Sequence, residues 1–206
     1  MTQDPRQVLP QDVAQAVQQD MQKWLERAVI GLNLCPFAKS VHVKGQIHWV
    51  VSAALDTSAL RLDLRRELLD LAASDPALRD TTLLVVPQCL EEFLDFNDFL
   101  AEADAMLEEL GLQGELQIAS FHPRFQFAGT REDDITNYTN RAPYPTLHLL
   151  REASIDRAVE AFPEAEAIYE RNMQVLEELG QSGWDALGIR RSASKSGPTG
   201  QNGEEP

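Results

Sequence analysis

Residues 122–145 show neither helical nor strand period, yet they gather side chains capable of chemistry. His122 offers a general base or a metal ligand. Arg124 and Arg141 present planar forks that match a carboxylate or a phosphate. Asn140, with Asn137 and Thr139, adds neutral donors and acceptors, and Asp133 and Asp134 could hold a metal or orient a histidine. Phe121, Phe125, Phe127, Tyr138 and Tyr144 need surfaces to pack on, while Pro123, Pro143 and Pro145 narrow the unfolded ensemble. A segment this long inside a domain is therefore expected to be an ordered, functional loop. The opposing expectation is that its arginines and aspartates only pair with one another and tie the loop down.

Two further residues join it. His148 lies in the strand-like run Thr146 to Arg151, on the face it shares with Thr146 and Leu150, as a site residue or an ordinary sheet residue. Cys35 precedes Pro36, and if Pro36 opens a helical turn then Cys35 is its N-cap, where amide groups and the helix dipole favour a thiolate. The alternative is a buried thiol that behaves as a small hydrophobe. Cys89 is the other cysteine, and nothing in the spacing predicts that the two pair.

The leading expectation is a small-molecule enzyme with an anionic substrate, a carboxylate or phosphate. Arg124, Asn140, Arg141, Tyr144 and His148 would bind it, with His122 as acid/base and Cys35 as nucleophile. The sequence leaves the cofactor unknown. A second class is a metal-dependent enzyme using His122, His148 and Asp133 or Asp134. A third is a non-catalytic interaction protein whose acidic helices bind a partner.

The elements that must position these residues follow from periodicity. Val13, Val17, Met21, Trp24, Leu25 and Ala28 mark a first helix, with Gly31 and Asn33 as stop signals. Strands are expected over 46–52, 81–86, 115–121 and 146–151. Between them, Leu60, Leu64, Leu68 and Leu71 make a stripe on a helix capped by Thr57 or Ser58, and Phe93 to Leu110 form another that Gly111 stops. A short helix capped by Ser154 and a longer one opening at Pro163 and stopping at Gly180 complete the chain. The result is a single α/β domain over 1–189, with a four-stranded, mostly parallel or mixed sheet and a helix before the first strand. The element order β-α-β-α-β-β-α also matches a thioredoxin-like chain. Residues 190–206 have almost no apolar side chain and are expected to be a disordered tail.

Composition narrows the class. The chain has 206 residues, 43% of them hydrophobic, and a net charge of −15. That charge disfavours nucleic acid phosphates and anionic membranes as partners. No apolar run reaches membrane-span length and no signal peptide is visible, so a cytoplasmic location is expected. The acid is concentrated in 51–120 and 152–189, and both candidate segments are slightly basic islands.

The motifs GLNLCPFA at 31–38, SFHP at 120–123 and TNRAPYPTLHLLR at 139–151 resemble those of an uncharacterised bacterial family known only as a domain of unknown function. The likeness spans roughly residues 20 to 189. It implies no activity, cofactor or catalytic residue, but both segments chosen above on chemical grounds are the ones that carry it.

Overall fold

A computed structural model describes residues 9–161 and 167–192. The helix stripe of Val17, Met21 and Trp24 folds as α1, Gln11–Trp24, and continues as a π-helical stretch, Leu25–Ile30. After it come α2 (Ala38–Val43), β1 (Ile47–Val51), α3 (Thr57–Ala73), β2 (Thr81–Val85), α4 (Phe93–Glu109) and β3 (Leu116–Phe121). A 3-10 helix, Ile135–Thr139, sits inside the long loop, followed by β4 (Thr146–Arg151), α5 (Glu152–Ala161) and α6 (Ile168–Ala186).

The sheet is mixed, in the order β1-β2-β4-β3. β1 and β2 run parallel, and β4 runs antiparallel to both β2 and β3, so β1, β2 and β3 share one direction. This is not the thioredoxin-like arrangement, in which the first strand is interior. Here β1 lies on an edge and the reversed strand is β4. The carboxyl ends of β1, β2 and β3 therefore meet the long loop at one edge of the sheet, where α/β proteins place ligands.

Period-two alternation gives each sheet face its own core. Leu84, Leu147 and Leu149 pack under α3 and α4 with Leu60, Leu64, Leu68, Phe96 and Phe99, all at most 2% exposed. Each such leucine stabilises the fold by about 1.5–3 kcal/mol relative to exposure. On the other face Val85, Trp49 and Phe121 meet Met21, Trp24 and Leu25 of the first helix, and Leu176 and Trp184 of α6. Cys35 packs with this second core and Cys89 with the first, so the two free thiols lie on opposite faces.

Several local expectations shift. Asp56, in extended backbone, caps α3 in place of Thr57 or Ser58, accepting the Ala59 amide at 2.8 Å. α5 starts at Glu152 directly after β4, so Ser154 lies within its first turn and donates to Asp80 Oδ1 at 2.6 Å. Pro163 and Glu164 lie outside the described residues. Gly180, at φ +62°, breaks the helical path of α6, which then resumes to Ala186. The chain does not leave the body at Arg190. The Arg191 Nε–H donates to the Pro143 carbonyl, and the Ser192 hydroxyl donates to Asp20 Oδ1 at 2.6 Å.

The first helix ends by an unexpected route. Asn33, at φ +55°, makes the left-handed turn, while Gly31 keeps a helical φ of −63°. Gly31 is required for space: a Cβ there would stand 2.3 Å from the Arg27 carbonyl oxygen, which the wide π turn brings onto it. Backbone cannot yield as a flexible side chain would. Gly31→Ala is therefore expected to cost about 1–3 kcal/mol, seen as a lower urea midpoint. An unchanged midpoint would contradict this account.

Candidate functional site

The long loop is held by its own polar groups. Asn137 is fully buried; its Oδ1 accepts from the Phe127 amide at 3.0 Å and from Thr130 Oγ1 at 2.8 Å, and its Nδ2 donates to the Arg131 carbonyl. Asn140 donates to the Ser120 carbonyl at 3.2 Å, which fastens the loop to the end of β3. Arg141 donates to the carbonyls of Phe125 at 3.0 Å and Glu132 at 2.7 Å, with its guanidinium over the Tyr138 ring. Asp133 pairs with Arg131, and Asp134 caps the 3-10 helix through the Thr136 amide and hydroxyl. Tyr144, 1% exposed, donates its hydroxyl to Asp20 Oδ2 at 3.1 Å. Of the arginine–aspartate pairings expected within the loop, Arg131–Asp133 is the one the described residues show; the rest of the loop is held by backbone carbonyls, amides and the two buried or half-buried asparagines.

His122 is the clearest correction. The ring is fully buried against Phe93 and Phe96, and Nδ1 lies 3.0 Å from the Arg124 amide, which can only donate. Nδ1 is then the acceptor, and Nε2, 3.1 Å from the Leu90 carbonyl, carries the proton. Burial pushes its pKa down to about 4, against smaller opposing help from the backbone contact to Leu90. A neutral imidazole with both nitrogens occupied is a brace between the β2–α4 connection and the loop. It has no free nitrogen for acid/base work or for a metal. Arg124 is likewise engaged, donating to the Glu91 carbonyl at 2.7 Å and pairing with Glu92 at 2.6 Å. The set His122, His148, Asp133 and Asp134 does not converge. Among the described residues no group of three or more His, Cys, Asp or Glu side chains could hold a metal ion.

What the fold does bring together is Cys35 and His148. Both line a cavity of about 330 Å³ between the sheet and the first helix, α2 and α5, walled by Trp24, Val29, Leu83 and Phe121. That volume is at the small end of pockets that enclose drug-sized ligands. His148 reaches it from β4, on the face expected from its alternation with Leu147 and Leu149, which enter the opposite core. Among the described residues its ring nitrogens have no hydrogen-bond partner, and burial pushes its pKa down to about 4. α2 starts at Ala38, two residues beyond Pro36, so Cys35 is not the expected N-cap. Backbone groups of Phe37 and Ala38 still favour its thiolate, but burial outweighs them and raises its pKa. The resting pair is a thiol and a neutral imidazole. No arginine or lysine among the described residues lines this cavity.

A second cavity, about 320 Å³, opens at the carboxyl edge of the sheet. It is lined by Arg141, Arg190 and Arg191 with Trp24, Tyr138 and Trp184, so Trp24 is a wall common to both cavities. Arg190 and Arg191 escaped the sequence reading because they sit in a segment without apolar period. The available signal was Asp20, a carboxylate on the apolar face of the first helix, which is 1% exposed and binds Ser192.

Among the described residues, no helix is long and apolar enough to cross a membrane. Neither the curated proteins nor the solved structures contain a match to this chain. Residues 16–186 match the family described as "Protein of unknown function (DUF1415)", and the chain belongs to that family.

Proposed function

We propose that this protein is a small-molecule enzyme acting on an uncharged, largely apolar substrate in the cavity of Cys35 and His148. The observation that carries the reading is a neutral imidazole without a partner of its own, lining the same carbon-walled space as the thiol. In the step proposed, the Cys35 sulfur adds to one carbon of an activated double bond of the substrate, the π pair moves to the far atom, and the thiol proton passes to a ring nitrogen of His148 and from there to that atom. An imidazolium and a sulfur nucleophile formed together cost less in apolar surroundings than either charge alone. The substrate differs from the anion expected from sequence, because Arg124 and Arg141 lie outside this cavity. A reducing, cytoplasmic setting would keep Cys35 a free thiol.

Labelling of the folded protein with N-phenylmaleimide and with iodoacetate, followed by peptide mass spectrometry, tests the reading. Cys35 should react with the neutral aromatic reagent and resist the anion, while buried Cys89, whose pKa burial pushes up to about 11, serves as the internal reference. His148→Phe should slow the reaction of Cys35 at pH 7 by roughly tenfold, the loss of a positioned base. Equal reactivity toward both reagents, or a rate indifferent to His148, would sink the proposal.

A further inference from the structure

Five arginines of this acidic chain hold carboxylates: Arg61 with Glu102, Arg66 with Asp63, Arg79 with Glu67, Arg124 with Glu92 and Arg131 with Asp133, while Arg27 and Arg151 donate to backbone carbonyls and Arg157 to a hydroxyl. The three at the second cavity hold no carboxylate among the described residues. Arg141 is anchored by two backbone carbonyls and a ring, and Arg191 by the Pro143 carbonyl and the Tyr144 ring, 4.8 Å from its guanidinium. Arg190 is exposed and has no hydrogen bond among the described residues. The one carboxylate at the cavity is Asp185, whose Oδ1 accepts from Gln181 at 2.9 Å. The balance is thus three guanidinium groups against one engaged carboxylate.

The anchors of Arg141 and Arg191 have a directional consequence. Each uses some N–H donors on backbone carbonyls, which fixes the plane of the fork while leaving charge uncompensated. Burial lowers the Arg191 pKa, outweighing the opposing influence of Tyr144 and Glu91. Three of the remaining lining residues are aromatic, Trp24, Tyr138 and Trp184, the last two in contact at 4.5 Å between ring centroids. We infer that the cavity bounded by Arg141, Arg190, Arg191, Trp24, Tyr138 and Trp184 binds a small oxyanion carried on a planar ring, a carboxylate or a phosphate ester. The oxyanion meets the forks and the ring lies against the aromatic wall. This site is independent of the Cys35 chemistry, and its place at the carboxyl edge of β1, β2 and β3 is the usual one for ligands on an α/β sheet.

The test is titration of the full chain with benzoate, phenyl phosphate, inorganic phosphate and neutral benzamide, followed by tryptophan fluorescence and by the shift in melting temperature. Benzoate or phenyl phosphate should bind, and the tighter of the two identifies the oxyanion. Benzamide should be weaker by roughly tenfold or more, the loss of charge-assisted hydrogen bonds. Arg190→Ala should keep the wild-type melting temperature without ligand, since Arg190 has no bond to lose, yet weaken anion binding by roughly fivefold to tenfold. Arg190→Lys should recover part of it. Absence of binding at millimolar concentration, benzamide binding as tightly as benzoate, or affinity unchanged in Arg190→Ala would each overturn the inference. Inorganic phosphate binding as tightly as phenyl phosphate would overturn the role given to the aromatic wall.

Discussion

Lowering the pH from 7 to about 4.5 is expected to destabilise this protein by about 4 kcal/mol, roughly 2 from each of two histidines, the buried His122 and the half-buried His148, since each unit of pKa shift is worth about 1.4 kcal/mol. His122 and His148 both have folded pKa values pushed from 6.5 down to about 4 by burial. Between those values the unfolded chain binds protons that the folded chain does not, so stability falls as pH falls. The contribution is complete above about pH 6.5 and exhausted below about pH 4. Relief of repulsion in a chain of net charge −15 opposes the trend, but surface carboxylates act weakly and in high dielectric. Urea midpoints measured at half-unit steps of pH give the curve. His148→Phe, which places an apolar ring of similar size in an apolar cavity, should flatten it by about half. If that variant loses stability between pH 6.5 and 4 as steeply as the parent, the neutral His148 is not its source.

The fold was legible in the sequence to different depths. Strands and long helices were visible because Leu60, Leu64, Leu68 and Leu71 keep a strict helical period, and Thr81 to Val85 is short, largely β-branched or apolar, and buried throughout. Strand order was not, because parallel and reversed strands carry the same alternation. Which strand lies beside β2 is decided by how the loop between β3 and β4 folds back. Side-chain roles were least legible. A histidine such as His122 looks the same in sequence whether its nitrogens face substrate or backbone. Only the Arg124 amide and the Leu90 carbonyl decide the matter. Cys35 and His148 were found as types, yet their common cavity depends on a strand and a helix far apart in the chain. Arg190 and Arg191 lacked any local signal, since tertiary contacts with Pro143 and Tyr144, and not apolar period, hold the segment in place.

Trp24 links these parts, and its removal should be the most damaging single change to both stability and site architecture. The side chain is 2% exposed, meets Phe121 edge-on at 5.0 Å between ring centroids, and donates its indole N–H to the Arg141 carbonyl at 2.9 Å. Trp24→Ala removes the packing, leaves a carbonyl short of its donor and opens a void, for which about 3–5 kcal/mol is the expected cost. Trp24→Phe keeps most of the packing and loses the hydrogen bond, so about 1 kcal/mol is expected. The functional consequence follows from Trp24 standing between the arginine-lined cavity and that of Cys35. In Trp24→Ala the two spaces merge, and iodoacetate, attracted by Arg141, Arg190 and Arg191, gains a path to the thiol that the parent denies it. Labelling is therefore compared in buffer where circular dichroism shows the variant folded: Cys35 becomes reactive to the anion in Trp24→Ala and stays protected in Trp24→Phe. Protection in both variants would mean that Trp24 does not partition the cavities. A midpoint for Trp24→Ala within error of the parent would show that the second core does not depend on it.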